Sequence, residues 1–203
     1  MSVSLRQLEY FVAVVDEGSF TTAAARLQFQ KAAEIDPKLP GIHFEIGELL
    51  GISEDPKIRA SAETEYKAAL AENPLDEKAE TRLGDLSSRD GNLPQALEHY
   101  NAALRVQPDD AEAEFGLAKI LIAMNQQAKA LPVLERAVKL EPTNAAAHFR
   151  LSTIYREMGR TEDSQHEVEE YKKLKTMKEK LEPIFKEMQV HPAGLSNEEQ
   201  EAK

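Results

Sequence analysis

The sequence predicts an all-α fold made of repeated helical hairpins, and three observations lead to this prediction. Four segments of similar sequence end at a proline, and from Pro74 to Pro108 and from Pro108 to Pro142 the interval is 34 residues. Ahead of each proline, apolar residues recur in steps of four and three, which is the spacing of one helix face. A second amphipathic stretch precedes each of these segments. A period of this length with two helices per unit indicates stacked hairpins.

The second helix of each predicted hairpin ends at its proline, which lacks an N–H group and clashes with the preceding turn. These segments are KAAEIDP at Pro37, AALAENP at Pro74, AALRVQP at Pro108 and RAVKLEP at Pro142. Their repeated apolar residues are Ala25, Phe29 and Ala32; Ala62, Tyr66 and Ala69; Ala96, Tyr100 and Ala103; and Ala130, Leu134 and Ala137. The first helices carry Ile46-Gly47, Leu83-Gly84, Leu117-Ala118 and Leu151-Ser152, where the small residue lets two helices approach closely.

These motifs resemble the tetratricopeptide repeat, a 34-residue helix-turn-helix unit with an L-G pair and a later A-x3-F/Y-x2-A-x4-P run. The resemblance is specific from about Pro40 to Pro142 and looser from Ala145 onward. It implies a superhelix of stacked antiparallel hairpins that a long C-terminal helix caps. The predicted segments are an N-terminal hairpin at 1–39, repeats at 40–76, 77–110 and 111–144, a degenerate repeat with the capping helix at 145–188, and a disordered tail at 189–203.

Two repeats depart from the pattern. The 40–76 repeat has three extra residues in GISEDPKIRA, and we expect them to enlarge the loop between its two helices. The 145–188 unit has Ser164, Val168 and Tyr171 where small and apolar residues stand elsewhere, so no further hairpin is expected to dock there. Its second helix continues with an apolar stripe of Leu174, Met177, Leu181, Ile184 and Phe185 among alternating Lys and Glu.

The first residues show a second resemblance. LRQLEYFVAVVDEGSFTTAAARL, within residues 3–27, resembles the opening of LysR-type transcriptional regulators, in which two helices begin a winged helix-turn-helix. The recognition helix of that family should follow, but QFQKAAEIDPKLPG stands in its place. The same residues also fit a repeat hairpin with helices at Leu5 to Val15 and Thr22 to Ile35. Our hypothesis is a LysR-like fragment joined to the array, where it partly rebuilds the first hairpin.

Composition excludes several classes of function. The formal net charge is −11 and the pI about 5.0, so the molecule repels a phosphate backbone and nucleic-acid binding is not expected. Without cysteine, disulfides, thiolate metal sites and cysteine nucleophiles are excluded. The longest apolar run, Leu8 to Val15, is too short to span a bilayer, and MSVSLRQLEYF does not read as a signal peptide. We therefore expect a cytoplasmic protein without a membrane partner.

No motif for catalysis or cofactor binding occurs in the sequence. The five histidines, His43, His99, His148, His166 and His191, have no H-x3-H or H-E-x-x-H spacing for a metal. Loops of the types G-x-S-x-G, G-x4-G-K-[ST] and G-x-G-x-x-G are missing as well. We predict no catalytic residue, no metal and no cofactor. His43 and His148 share one repeat position, and we interpret them as packing residues.

The remaining surface for function is the concave groove that the first helices of such hairpins line. The predicted groove residues are Phe44 and Glu48; Lys78, Arg82 and Arg89; Phe115 and Lys119; and Phe149, Arg150 and Arg156. The later half of this set is basic, which predicts a peptide or protein ligand with acidic residues or a free carboxylate, held also by the phenylalanines. In the alternative interpretation, these bases only balance neighbouring acids.

The resemblance does not extend to the carboxylate clamp of chaperone-binding repeat proteins, a Lys and Asn pair in successive repeats. The corresponding positions hold Phe44 and Glu48, Thr81 and Asp85, and Phe115 and Lys119. The sequence thus predicts a protein-interaction scaffold that is not an enzyme, and it names neither the partner nor the oligomeric state. A DNA-linked transcriptional regulator that uses the LysR-like segment is the alternative function.

Overall fold

Every secondary-structure element in the described part of the chain is an α-helix. The computed structural model describes residues 41–190 except Glu54, together with Leu27 and Lys31, and it describes side chains as far as Ile184. The helices are α1 (Ile42–Gly51), α2 (Pro56–Glu72), α3 (Glu77–Arg89), α4 (Leu93–Val106), α5 (Ala111–Ala123), α6 (Gln127–Leu140), α7 (Ala145–Glu157) and α8 (Thr161–Val190). The predicted all-α fold is confirmed.

The chain divides into two compact units, with the boundary between Val133 and Leu134 inside α6. In the first unit α1 packs on α2 and α3 packs on α4, while α2 contacts α3, and α5 contacts both α3 and α4. In the second unit α7 packs on α8. Turns of three or four residues join successive helices, and α1 with α2, α3 with α4, and α7 with α8 form hairpins whose helices run in opposite directions.

Prolines and capping side chains fix where the helices end and begin. α2 ends at Glu72, and Asn73 before Pro74 is extended, as steric contact with the proline ring requires. The carboxylate of Asp76 then accepts a hydrogen bond from the Ala79 backbone N–H (3.0 Å) and caps α3. In the next repeat α4 ends at Val106 ahead of Pro108, and Asp110 caps α5 in the same way. Each proline therefore stops one hairpin where the next one starts.

The predicted periodic residues form the core. Ala62, Tyr66, Ala69, Ala96, Tyr100, Ala103, Ala130, Leu134 and Ala137 are all at most 3% exposed. In α3 the small residue Gly84 faces the Tyr100 ring, so closely that a Cβ atom there would lie 2.8 Å from Cε1. Gly116 of α5 also lies against the same ring. Ala25, Phe29 and Ala32, which the sequence places in the same register, lie outside the described residues.

The three-residue insertion forms helix and not the enlarged loop that the sequence predicted. α2 has 17 residues, whereas α4 and α6 have 14 each. Asp55 caps α2 by accepting the Lys57 backbone N–H (2.8 Å), and Pro56 occupies the first turn, where its missing N–H costs nothing. These two residues start the helix almost one turn early, which leaves a loop of only four residues between Gly51 and Pro56.

The predicted segments can be placed only within the described residues. α1 and α2 lie within 40–76, α3 and α4 within 77–110, and α5 and α6 within 111–144. α7 and most of α8 lie within 145–188, although α8 ends at Val190. The LysR-like hairpin at 1–39 lies outside the described residues except for Leu27 and Lys31, and so does nearly all of the tail predicted at 189–203.

Candidate functional site

A cleft of about 460 Å³ opens in the first unit. Its lining residues come from three places: α1, the first two turns of α3, and the turn before α5 together with the first two residues of α5. They are Phe44 and Glu48; Glu77, Lys78, Thr81 and Arg82; and Gln107, Asp109, Asp110, Ala111 and Glu112. The structure therefore brings together four of the predicted groove residues, namely Phe44, Glu48, Lys78 and Arg82.

Arg82 lies at the centre of an ion-pair network on this cleft. Its Nε donates to Glu48 of α1 (2.7 Å), and its Nη1 donates to Glu112 of α5 (2.5 Å). Nη1 is also 3.5 Å from Asp85 of its own helix. Partial burial alone would lower the pKa of Arg82, but the hydrogen bonds to Glu48 and Glu112 outweigh it and raise the pKa above its usual value. Arg82 thus joins three hairpins and is already neutralised by carboxylates of this chain.

Two buried tyrosines hold carboxylates of this network in place by hydrogen bonds. The Tyr66 hydroxyl donates to Glu48 (2.7 Å), and the Tyr100 hydroxyl donates to Asp85 (2.6 Å). Burial, together with the negative charge of the accepting carboxylate, raises the pKa of both tyrosines well above its usual value, so both remain donors across the physiological range. Phe44 packs against the Tyr66 ring, with the ring centroids 5.8 Å apart, and forms the apolar part of the cleft wall.

Sequence reasoning missed the residues that come from the start of α5 and its preceding turn. Asp110 caps α5 through the backbone N–H groups of Glu112 and Ala113, and its other oxygen is 3.2 Å from the Thr81 hydroxyl. This contact fixes the N-terminus of α5 beside the first turns of α3. Gln107, Asp109 and Ala111 line the cleft for the same reason, and Glu77 lines it from the first turn of α3. The repeat pattern could have predicted these residues. When hairpins stack, the turn before the first helix of one hairpin lies beside the first helix of the hairpin before it.

Three other predicted groove residues of the first unit lie outside this cleft. The Arg89 guanidinium donates to the carbonyl oxygens of Gly51 (2.8 Å) and Ser53 (3.2 Å), so it holds the end of α1 and the following turn. Lys119 lies over the Phe115 ring at 5.3 Å from its centroid and 3.9 Å from Asp85. Of the basic residues predicted to attract an acidic ligand in this unit, Arg82 and Lys119 therefore face carboxylates of the chain itself.

The predicted residues of the second unit are exposed on α7. Phe149 is 54% exposed and packs against Tyr171 of α8, with ring centroids 5.3 Å apart. Arg150 and Arg156 are exposed on the same helix. Their role in binding stays a prediction.

The histidines pair with glutamates across the hairpins. His43 of α1 bonds Glu65 of α2 (2.7 Å), and His148 of α7 bonds Glu167 of α8 (2.6 Å), at the same repeat position. In the α3–α4 hairpin the order is reversed, since Glu80 stands on the first helix and His99 on the second (2.7 Å). This geometry agrees with the packing role predicted for His43 and His148. Among the described residues, no group of three or more His, Asp and Glu could hold a metal ion.

Comparison with protein families agrees with the architecture. One tetratricopeptide-repeat model matches residues 59–111 and 81–123, and a second matches residues 125–176. Together they cover more than half of the sequence, and the chain belongs to the tetratricopeptide-repeat family. A model of the bacterial regulatory helix-turn-helix of the LysR family matches residues 5–33, which confirms the resemblance of the N-terminal segment.

Solved structures of repeat proteins are similar in fold. MamA gives a TM-score of 0.63 at 15% identity, with 89% of this chain and 99% of that chain covered. PilF of Pseudomonas aeruginosa gives 0.68 at 16%, with 97% and 96% covered. YrrB, a tetratricopeptide-repeat protein with an unusual peptide-binding site, gives 0.58 at 17%, with 80% and 82% covered. At such identities the likeness shows the fold alone.

A search of curated sequences and a search of the described helices for a membrane span both found nothing. No curated protein sequence matches this chain significantly. Within the residues that the structure describes, none of the helices combines the length and the apolar character that crossing a membrane requires.

Proposed function

We propose that this protein is an interaction scaffold that binds an extended segment of a partner protein in the cleft formed by α1, α3 and the start of α5. The observation that carries the proposal is the cleft itself, because helices of three successive hairpins supply an apolar wall at Phe44 and polar groups around it. The family supports the general role, since stacked hairpins offer an extended binding face. YrrB, which shares the fold, is described as having a peptide-binding site.

The charges of the cleft favour a basic ligand over the acidic ligand that the sequence predicted. Five lining residues are acidic, namely Glu48, Glu77, Asp109, Asp110 and Glu112, and only Lys78 and Arg82 are basic. Arg82 is neutralised by Glu48 and Glu112, so it offers little attraction to a further carboxylate. The Glu77 side chain makes no ion pair with any described residue. We therefore propose a ligand with lysine or arginine beside an apolar residue that contacts Phe44.

A selection experiment tests the site and the ligand charge together. A displayed library of random peptides is selected on the purified full chain, and the binders are measured by fluorescence anisotropy. We expect basic peptides with an apolar residue, and about tenfold weaker binding to the Phe44→Ala and Glu77→Lys variants. Glu98→Lys on α4 makes the same charge change at an exposed position outside the cleft and should leave the affinity unchanged. Selection of acidic peptides, or equal losses in Glu77→Lys and Glu98→Lys, would refute the proposal.

A second candidate function is a DNA-linked regulator, and the family match over residues 5–33 is the observation that favours it. Binding through phosphate contacts weakens steeply with salt, whereas peptide binding through a partly apolar cleft weakens far less. Titration of the full chain with duplex DNA at low and physiological salt tests this candidate. Duplex binding that disappears when residues 1–27 are deleted would support it, and no binding at low salt would exclude it.

A cytoplasmic location and the lack of an enzymatic activity remain predictions from the sequence. The ground for the second prediction is that repeat arrays of this family serve as binding surfaces. Both predictions belong to the scaffold proposal.

A further inference from the structure

The outer half of α8 is an exposed helix without a partner in the described part of the chain. Tyr171 is the last α8 residue with a ring contact, to Phe149. Between Lys172 and Ile184 every side chain is exposed except Leu174, which is half-buried. No side-chain hydrogen bond or ion pair joins residues 174–184 to any other described residue. This stretch extends past α7, and it does not contribute to the cleft of the first unit.

An apolar stripe runs along this exposed stretch. Its described side chains are Leu174, Met177, Leu181 and Ile184, and the last three are 55%, 40% and 51% exposed. The side chain of Phe185, the fifth residue of the predicted stripe, lies outside the described part of the chain. The spacing of the four described residues, by three, four and three, places them within an arc of about 80° on a helix of 3.6 residues per turn. This is the narrow seam of positions a and d in a coiled coil, with Leu174 and Leu181 at a. Pro183 lies at position c, outside the seam.

Lysines border the seam on both sides. In the same register Lys173 and Lys180 occupy g positions and Lys178 an e position, the places that decide which helix a coiled coil accepts. Glu179 and Glu182 lie at f and b on the far side, where they cannot neutralise the edges of the seam. Lys173 contacts Glu170 (2.6 Å), and Lys178 and Lys180 contact no described acid. The seam is thus apolar with cationic edges on a protein whose net charge is −11.

The charge of these edges argues against pairing with a second copy. In a parallel pair Lys173 would face Lys178 of the other copy, because g faces e of the next heptad. An antiparallel pair would instead bring two copies of Lys178, and two of Lys180, opposite each other. Either orientation places like charges beside an apolar seam, which is destabilising. A partner helix with acidic residues at these positions would remove the repulsion and form ion pairs.

We infer that residues 173–184 of α8 dock an amphipathic helix of another protein that has an apolar a and d seam and acidic residues at its e and g positions. The narrow seam fits a helix better than a lipid surface, because helices that lie in a membrane interface present a broad apolar face. The cleft proposed above is not involved. Failure of one proposal therefore leaves the other intact.

Binding of defined peptides to the full chain tests this inference. The probes are two synthetic peptides of about three heptads with the same apolar seam, one with Glu and one with Lys at every e and g position. We expect the Glu peptide to bind at least about tenfold more tightly than the Lys peptide. Leu181→Gln with Ile184→Gln should abolish binding of the Glu peptide. Lys173→Glu, Lys178→Glu and Lys180→Glu together should reverse the preference between the peptides.

Each contrary result overturns the inference in its own way. Equal affinity for both peptides, or binding that survives Leu181→Gln with Ile184→Gln, would show that this seam and its charges do not select the partner. Sedimentation of the wild type as a dimer that dissociates in the double variant would assign the face to a second copy. Tighter binding to phosphatidylcholine vesicles containing phosphatidylserine than to the Glu peptide would assign it to a membrane surface. Circular dichroism confirms that each variant keeps its helices.

Discussion

The interior around Tyr100 and the outer half of α8 are both helical, but they use side chains in opposite ways. The Tyr100 ring is fully buried, its hydroxyl donates to Asp85, and Gly84 and Gly116 of two helices lie against the ring. Between Lys172 and Ile184, by contrast, apolar and charged side chains alike are exposed, except Leu174, which is half-buried. In the first region, packing against neighbouring helices limits which side chains are tolerated. In the second, only a docked partner would limit them, so stability and binding should respond to different substitutions.

Truncation of Tyr100 should give the largest effect on stability. Tyr100→Ala removes a fully buried ring and leaves Asp85 without its donor, so we expect a loss of about 3–5 kcal/mol in the free energy of unfolding. Urea denaturation followed by circular dichroism measures it. Tyr171→Ala on α8 is the matched control, and it should cost less than about 2 kcal/mol because its ring is only half-buried. Equal losses would mean that the two regions are packed alike.

High pH should destabilise the interior through its two buried tyrosines. Burial raises the pKa of Tyr66 and Tyr100 in the folded chain, whereas both deprotonate near pH 10 when unfolded. Below pH 10 both states bind the protons and stability is unaffected. Above it the unfolded chain releases them first, so stability falls by about 1.4 kcal/mol per pH unit for each tyrosine. Denaturation at pH 9 to 11 should show this slope, and Tyr66→Phe with Tyr100→Phe should reduce it. An unchanged slope in the double variant would contradict the claim that burial raises the pKa of these two tyrosines.

Periodicity made the interior predictable, since each of its contacts repeats with the hairpin. Tyr66 and Tyr100 fall at one position of a 34-residue unit, and a residue that recurs before each proline has to face the same way in each hairpin. The insertion was misjudged for a local reason. Asp55 and Pro56 form a helix start, and a capping residue followed by proline should have been recognised as such.

The cleft was less predictable, because it depends on neighbouring hairpins. Phe44 and Arg82 could be placed on first helices, but the acids at Asp109 to Glu112 reach the cleft only through stacking of α5 beside α3. The charge of the ligand was the hardest property to predict. From the sequence of its own helix, Arg82 looks like a cation available to a ligand, and only the folded chain shows its ion pairs with Glu48 and Glu112. The alternative interpretation, in which bases balance neighbouring acids, describes this residue better.

Filling the space beside the Tyr100 ring should have an intermediate effect. In Gly84→Ala the new Cβ would lie 2.8 Å from Cε1 and 2.9 Å from Cδ1 of the ring, which forces one helix to shift. We expect a loss of about 1–3 kcal/mol by overpacking, although alanine favours the helix by about 1 kcal/mol. In the 111–144 repeat the sequence has Ala118 and Leu134 at the corresponding positions. Gly84→Ala should therefore cost less in a Tyr100→Leu background, and an equal cost would show that the ring is not the obstacle.

Substitution on the seam of α8 should change stability least and binding most. Leu181→Gln exchanges a side chain that is 40% exposed for a polar one of similar helix propensity, so the free energy of unfolding should change by no more than about 0.5 kcal/mol. The measurement is the same urea denaturation as for Tyr100→Ala, made beside the peptide titration. A loss of several kcal/mol would mean that Leu181 packs inside this chain, and the seam would then not be available to a partner. Stability that stays constant while Glu-peptide binding is lost would identify the outer half of α8 as a surface for recognition and not for folding.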